Sequence, residues 1–239
     1  MKKKAVLMEE SRPQPKFLVR NGIALLLMLS LLTVPVLAEV DNPYSEDMQD
    51  TIPQWATEIN APPQSFLDVD PEADYADAVN LLSELGIVVG DGTGHFNPGA
   101  TISRAETAVI LCRLIGVEDE AKAMQVAVFN DVPATHWAAG YVAKAVELGM
   151  IIGYGNGDFG PSDPVTYEQI IKLLVCAWDY EDYALTNGGW PNGYWSTADS
   201  LGILNGVSAH STDAATRAHV AVLCYNTLNT APGNFLWDD

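Results

Sequence analysis

The chain has 239 residues, a formal net charge of −19 and nearly half of its residues apolar. So acidic a surface repels phosphate backbones and anionic lipid at long range, which excludes nucleic-acid binding and adsorption to a membrane surface as its main activity. Cys112, Cys176 and Cys224 stand at no metal-ligand or CxxC spacing, so they read as small buried hydrophobes, and neither a metal nor another cofactor is expected.

Residues 1–38 have the pattern of a secretory signal peptide. Lys2, Lys3, Lys4, Lys16 and Arg20 precede an apolar run from Ile23 to Val34, which is short for a bilayer span of about 20 residues. Val36, Leu37 and Ala38 then place small residues for cleavage after Ala38. Cleavage leaves the chain more acidic still and without a membrane segment. Residues 39–65 are acidic and contain Pro43, Pro53, Pro62 and Pro63, which predicts an arm, with Trp55 packing onto the domain or left as a remnant of a further unit.

From Phe66 onward the chain repeats itself. Phe66-Leu67-Asp68-Val69 returns as Phe129-Asn130-Asp131-Val132, and at the same offset Gly86, Gly90, Gly92, Gly94, Phe96 and Pro98 fall on Gly149, Gly153, Gly155, Gly157, Phe159 and Pro161. Glycines matched at unequal spacings mark backbone positions that disfavour a side chain, so a structural unit recurs. The first unit spans 66–118 and the second 129–181. A third, degenerate unit at 188–230 is aligned by Trp190 and Gly202, spaced as Trp137 and Gly149 are, and residues 231–239 form a tail. Units this small bury too little core alone and are expected to share one.

Within the first unit, Ala76, Val79, Leu82 and Leu85 recur at helical spacing up to Gly86, a residue suited to a C-terminal cap. Val142, Ala145, Val146 and Leu148 repeat this before Gly149. Second helices begin at Thr101-Ile102-Ser103-Arg104-Ala105-Glu106, Pro164-Val165-Thr166-Tyr167-Glu168-Gln169 and Ala214-Ala215-Thr216-Arg217-Ala218-His219. Ser103 with Glu106 and Thr166 with Gln169 form the S/T-x-x-E/Q pattern of a capping box. Arg104 and Arg217 put a cation in a first turn, where the helix dipole opposes it by some tenths of a kcal/mol. Such an arginine beside exposed helix N–H groups makes a receptor for a carboxylate or phosphate.

These motifs resemble the S-layer homology repeat, whose pattern is an F-x-D-V opening, an early W-A, a G-I, a glycine-rich loop ending F-x-P and a T-R-A-E helix start. The resemblance implies a mainly α fold in which three helix-loop-helix repeats assemble around a pseudo-threefold helical bundle. It further implies an exported, non-enzymatic protein of the bacterial cell wall that binds an anionic, possibly pyruvylated, secondary cell-wall polysaccharide in grooves between repeats. The family's ligand residues then fall on Arg104, Arg217, Asp68, Asp131, Trp137, Trp190, Gly90 and Gly153. Tyr167 replaces the arginine in the second repeat, so at most two grooves are expected to be competent. The rival reading is a surface assembly protein whose domain binds another protein, with the N-terminal arm as a further partner site. On the glycan reading, replacing both arginines with alanine abolishes wall binding and leaves thermal stability nearly intact.

Overall fold

The computed structural model describes residues 66–124 and 126–230; the signal peptide, the arm with Trp55 and the tail lie outside them. Among the described residues there are eight helices and isolated bridges in place of strands. The first helices of the three repeats are α1 (Ala76–Glu84), α4 (Ala139–Glu147) and α7 (Asn192–Ser200), and the second helices are α2 (Arg104–Leu114), α5 (Tyr167–Ala177) and α8 (Arg217–Leu228). Two short helices, α3 (Glu118–Ala123) and α6 (Glu181–Thr186), follow α2 and α5. The sequence reading placed no helix there, since six residues carry too little periodicity to register.

The first helices end as their sequence directs. Gly86, Gly149 and Gly202 stand just past the C-caps with φ of 69°, 71° and 74°, a left-handed conformation that glycine adopts without a Cβ penalty. Gly202 after α7 thus has the same backbone conformation as Gly86 after α1 and Gly149 after α4. Of the second helices, α2 and α8 are the most enclosed. On α2, Ala105, Thr107, Ala108, Val109, Ile110, Leu111, Cys112 and Leu114 are all buried, and α8 is enclosed in the same way. A helix apolar on most sides is one surrounded by protein.

Packing is cyclic. Each second helix lies against the first helix of the next repeat: α2 on α4, α5 on α7 and α8 on α1, so the last repeat closes onto the first. Tyr141 on α4 donates to Glu118 Oε1 at the start of α3 (2.9 Å), and Tyr194 on α7 repeats the contact with Glu181 (3.0 Å). Fully buried Leu82, Phe96, Ile102, Leu114, Phe159, Ile171, Leu174, Ile203 and Leu223 come from all three repeats and form one core.

At the centre, the residues preceding the second helices form a closed ring of backbone hydrogen bonds. Ile102 N donates to Ala215 O (3.0 Å), Ala215 N to Val165 O (2.8 Å) and Val165 N to Ile102 O (3.0 Å). All three residues are buried, where an unpaired peptide group costs about 1–3 kcal/mol. No repeat can leave without breaking two of the three bonds. Cys112 and Cys224 are buried and Cys176 half-buried, all three as free thiols; burial pushes each thiol up to about 12.

The ring predicts that the amides of Ile102, Val165 and Ala215 exchange with solvent hydrogen only through global unfolding. Native-state exchange measured by NMR checks this: the three should share one opening free energy, equal to that of denaturant unfolding. One ring amide opening far more readily than the others would contradict it.

Candidate functional site

Each ring segment leads into a second helix whose first turn is pinned to the loop of the next repeat. Arg104 N donates to Asp163 O (2.9 Å) and Ala105 N to Pro161 O (3.0 Å). Tyr167 and Glu168 do the same to Asp213 and Ser211, and Arg217 and Ala218 to Ala100 and Pro98. The third free amide is capped from within: Glu106 N by Ser103 Oγ and His219 N by Thr216 Oγ1, both at 3.3 Å. This corrects the expectation of exposed helix N–H groups beside the arginines. The orphan donors of a helix start are consumed in joining repeats, and any anion must be held by side chains.

The capping boxes also differ. Ser103 and Glu106 cap each other in both directions. In the second repeat Thr166 and Gln169 form the expected box as well, with Gln169 Oε1 accepting from Thr166 N (3.1 Å), but the half made by the buried Thr166 Oγ1 falls outside good hydrogen-bond geometry and is the weaker one.

The two arginines occupy equivalent positions in neighbouring seams. Arg104 crosses into the second repeat, where Nε donates to Phe159 O (2.7 Å) and a terminal nitrogen to Ile152 O (2.8 Å). Arg217 crosses into the first repeat and makes the same pair of bonds to Phe96 O (2.8 Å) and Val89 O (2.7 Å). Phe159 lies under the Arg104 guanidinium at 4.5 Å and Phe96 under that of Arg217 at 4.7 Å, within cation–π range. The arginines thus clasp the glycine-rich loops. The expectation that both could be removed without loss of stability is therefore corrected: each alanine would leave two loop carbonyls without their donors.

Asp68 and Asp131 hold the same loops from the other side. Asp68 accepts from Phe96 N and Asn97 N, both at 2.7 Å, and Asp131 from Phe159 N (2.8 Å) and Gly160 N (2.7 Å). Partial burial opposes ionisation of these carboxyls, but the paired backbone donors outweigh it, with Arg104 aiding Asp131, and both sit below the usual carboxylate range. A β-carbon on Gly90 would stand 2.6 Å from a Phe66 ring carbon and from His95 O; on Gly153 it would stand 2.3 Å from the Phe129 ring and 2.7 Å from Asp158 O. Close approach of each repeat's opening phenylalanine accounts for both glycines.

The structure therefore gathers Arg217, Asp68 and Gly90 at one seam and Arg104, Asp131 and Gly153 at the next. Neither indole is a cation–π partner of Arg104 or Arg217. Trp137 is 62% exposed and tilted against His136, and Trp190 is 48% exposed with Tyr194 and Lys172 Nζ beside it. Both are too open to be core anchors, and neither flanks an arginine. Tyr154, which the sequence reading passed over, does: its ring lies 4.9 Å from Arg104, it is half exposed, and its hydroxyl donates to Asp163 Oδ2 (2.7 Å). Its register position in the first loop is Asp91, and that difference between copies was the available signal. At the third seam Tyr167, buried where the others have arginine, bonds His219 Nδ1 through its hydroxyl (2.6 Å).

The S-layer homology domain family matches residues 65–108 and 128–171, the loops and helix starts just described. The chain carries S-layer homology domain repeats at those two stretches. It is 32% identical over 160 residues to a cell surface protein of Thermoanaerobacter kivui and 34% identical over 158 residues to the middle cell wall protein of Brevibacillus brevis. Each alignment covers 66% of this chain but only 20% and 15% of those longer proteins. An amylopullulanase of Thermoanaerobacterium thermosulfurigenes is 27% identical over 168 residues, 64% of this chain and 9% of the enzyme. The third helix pair, α7 and α8, lies beyond the two matched stretches.

Two outcomes are expected. Gly153→Ala should lower stability by about 1–3 kcal/mol in urea unfolding, whereas Gly99→Ala, which faces open space, should stay within about 0.5 kcal/mol of the parent. Because Asp68 and Asp131 ionise more readily when folded, the stability they confer is fully present above about pH 4 and lost as pH falls through their lowered folded values. Replacing both with asparagine should flatten that acid limb, as followed by thermal melts across pH.

Proposed function

We propose that this S-layer homology protein anchors non-covalently to the bacterial cell wall at the cell surface, binding an anionic secondary polysaccharide in the grooves between repeats. Carriage of the domain and similarity to cell-surface and cell-wall proteins support wall anchoring in general terms. The glycan and the ligand residues rest on one observation: at two seams a half-buried arginine, within cation–π distance of an aromatic ring and clasped to a loop, stands beside a carboxylate that is already occupied. A guanidinium so fixed has little side-chain entropy left to lose when it pairs with a carboxylate such as a pyruvate ketal.

The half-exposed indoles of Trp137 and Trp190 supply apolar faces of the kind a sugar ring covers, at the starts of α4 and α7. Asp68 and Asp131 are poor candidates for general acids, being held ionised by two backbone donors each. We accordingly read the chain as a binding module and not as an enzyme, even though one similar protein is named as a glycosidase.

Co-sedimentation with purified walls tests the reading. Walls bearing the secondary polysaccharide should retain the protein, and walls stripped of it should not; equal retention would favour a protein or peptidoglycan partner. The double variant R104A/R217A should lose retention, and circular dichroism at the assay temperature must show it folded, since both clasps are then gone.

A further inference from the structure

The two arginine seams are alike in backbone and unlike in charge. In the seam between the third and first repeats, a terminal nitrogen of Arg217 pairs with Glu106 Oε1 at 3.2 Å, and the Arg217 side chain is only 15% exposed. Glu106 thereby serves twice, with its other oxygen accepting from Ser103 N and Oγ. In the seam between the first and second repeats, the residue in the place of Glu106 is Gln169, which caps Thr166 N and carries no charge. Among the described residues no acidic side chain forms an ion pair with Arg104.

The rest of the Arg104 environment points the same way. Two rings, Tyr154 and Phe159, flank its guanidinium where Arg217 has Phe96 alone. The acid nearest in register, Asp163, accepts from the Tyr154 hydroxyl, and Asp131 from two loop amides. Backbone carbonyls hold Nε and one terminal nitrogen, so the other terminal nitrogen is the edge left for an outside acceptor. At Arg217 that edge is the one Glu106 fills.

Resting on the anchoring function proposed above, we infer that the Arg104 groove takes the carboxylate-bearing sugar, and that Glu106 closes the Arg217 groove to anions and leaves it to neutral sugar. A ligand carboxylate at Arg217 would have to displace a carboxylate already ion-paired there, whereas at Arg104 the neighbouring carboxylates of Asp131 and Asp163 are held by other donors. The identity of one residue, the third of the helix facing the arginine, decides which groove binds charge. At the third seam Tyr167 and His219 form a hydrogen-bonded pair in place of arginine and acid.

A reciprocal exchange tests this, because each substitution installs a residue that the other repeat already accommodates as a helix cap. Gln169→Glu should weaken binding to polysaccharide-bearing walls by about tenfold or more, by supplying Arg104 with an internal partner. Glu106→Gln should raise the number of protein molecules bound at saturation or tighten binding, by freeing Arg217. Melting temperatures of both variants, measured alongside, separate a binding change from a folding change. Binding of Q169E within twofold of the parent, with E106Q also unchanged, would overturn the inference while leaving anchoring intact. A parent protein retained equally by stripped walls would overturn anchoring itself.

Discussion

Three backbone hydrogen bonds in a closed cycle, from Ile102 to Ala215, Ala215 to Val165 and Val165 to Ile102, set the geometry of everything around them. The cycle fixes the rotation between repeats, and with it which helix start faces which loop. Because the segments that form it run straight into α2, α5 and α8, the first turn of each second helix lands on its neighbour's loop. Its amides find their acceptors there, and so do the side chains of Arg104 and Arg217, the first residues of α2 and α8. Shared core and shared groove are thus two results of one arrangement. Hydrophobic burial supplies the driving force, but it is non-directional, and the ring gives it a register.

The loops show how a glycine-rich segment is made rigid. Aspartate grips its backbone N–H groups from one side and arginine its carbonyls from the other, on either side of Phe96 and again of Phe159. Each phenylalanine is buried and lies beneath the arginine that binds its own carbonyl. A groove built in this way is preorganised: the entropy of ordering its cation is lost on folding and not on binding. The same economy makes the arginines hard to interpret by deletion, and for that reason exchange at position 106 or 169 is more informative than alanine at 104 or 217.

Much of the fold was legible in the sequence. Periodic apolar residues bounded by Gly86 and Gly149 marked the first helices, and the S/T-x-x-E/Q pattern marked the second. What could not be read was the cyclic exchange between repeats, since Arg104 and Ile152, or Arg217 and Val89, are far apart in the chain and no local pattern links them. That is why the helix-start amides seemed available when they are in fact occupied, and why Gly90 and Gly153, candidates for ligand contact, turned out to sit against the repeat's own phenylalanine. The short helices α3 and α6 were missed because their acidic sequences carry no apolar stripe. Asp68 and Asp131 were found by motif, but their task of holding a loop 28 and 29 residues further on is visible only in three dimensions.

The packing of helices around the ring separates the unit that is duplicated from the unit in which each arginine meets its loop. A repeat is a continuous stretch of chain, yet every groove is assembled from the end of one stretch and the middle of the next. A single copied repeat would therefore carry two half-sites and no whole one. When copies drift apart, a change at a helix start alters the groove ahead of it, whereas a change in a loop alters the groove behind it. Matched pairs such as Arg217 with Glu106 and Tyr167 with His219 are consequently correspondences between neighbours, and specificity in such a protein is a property of the order in which its repeats are joined.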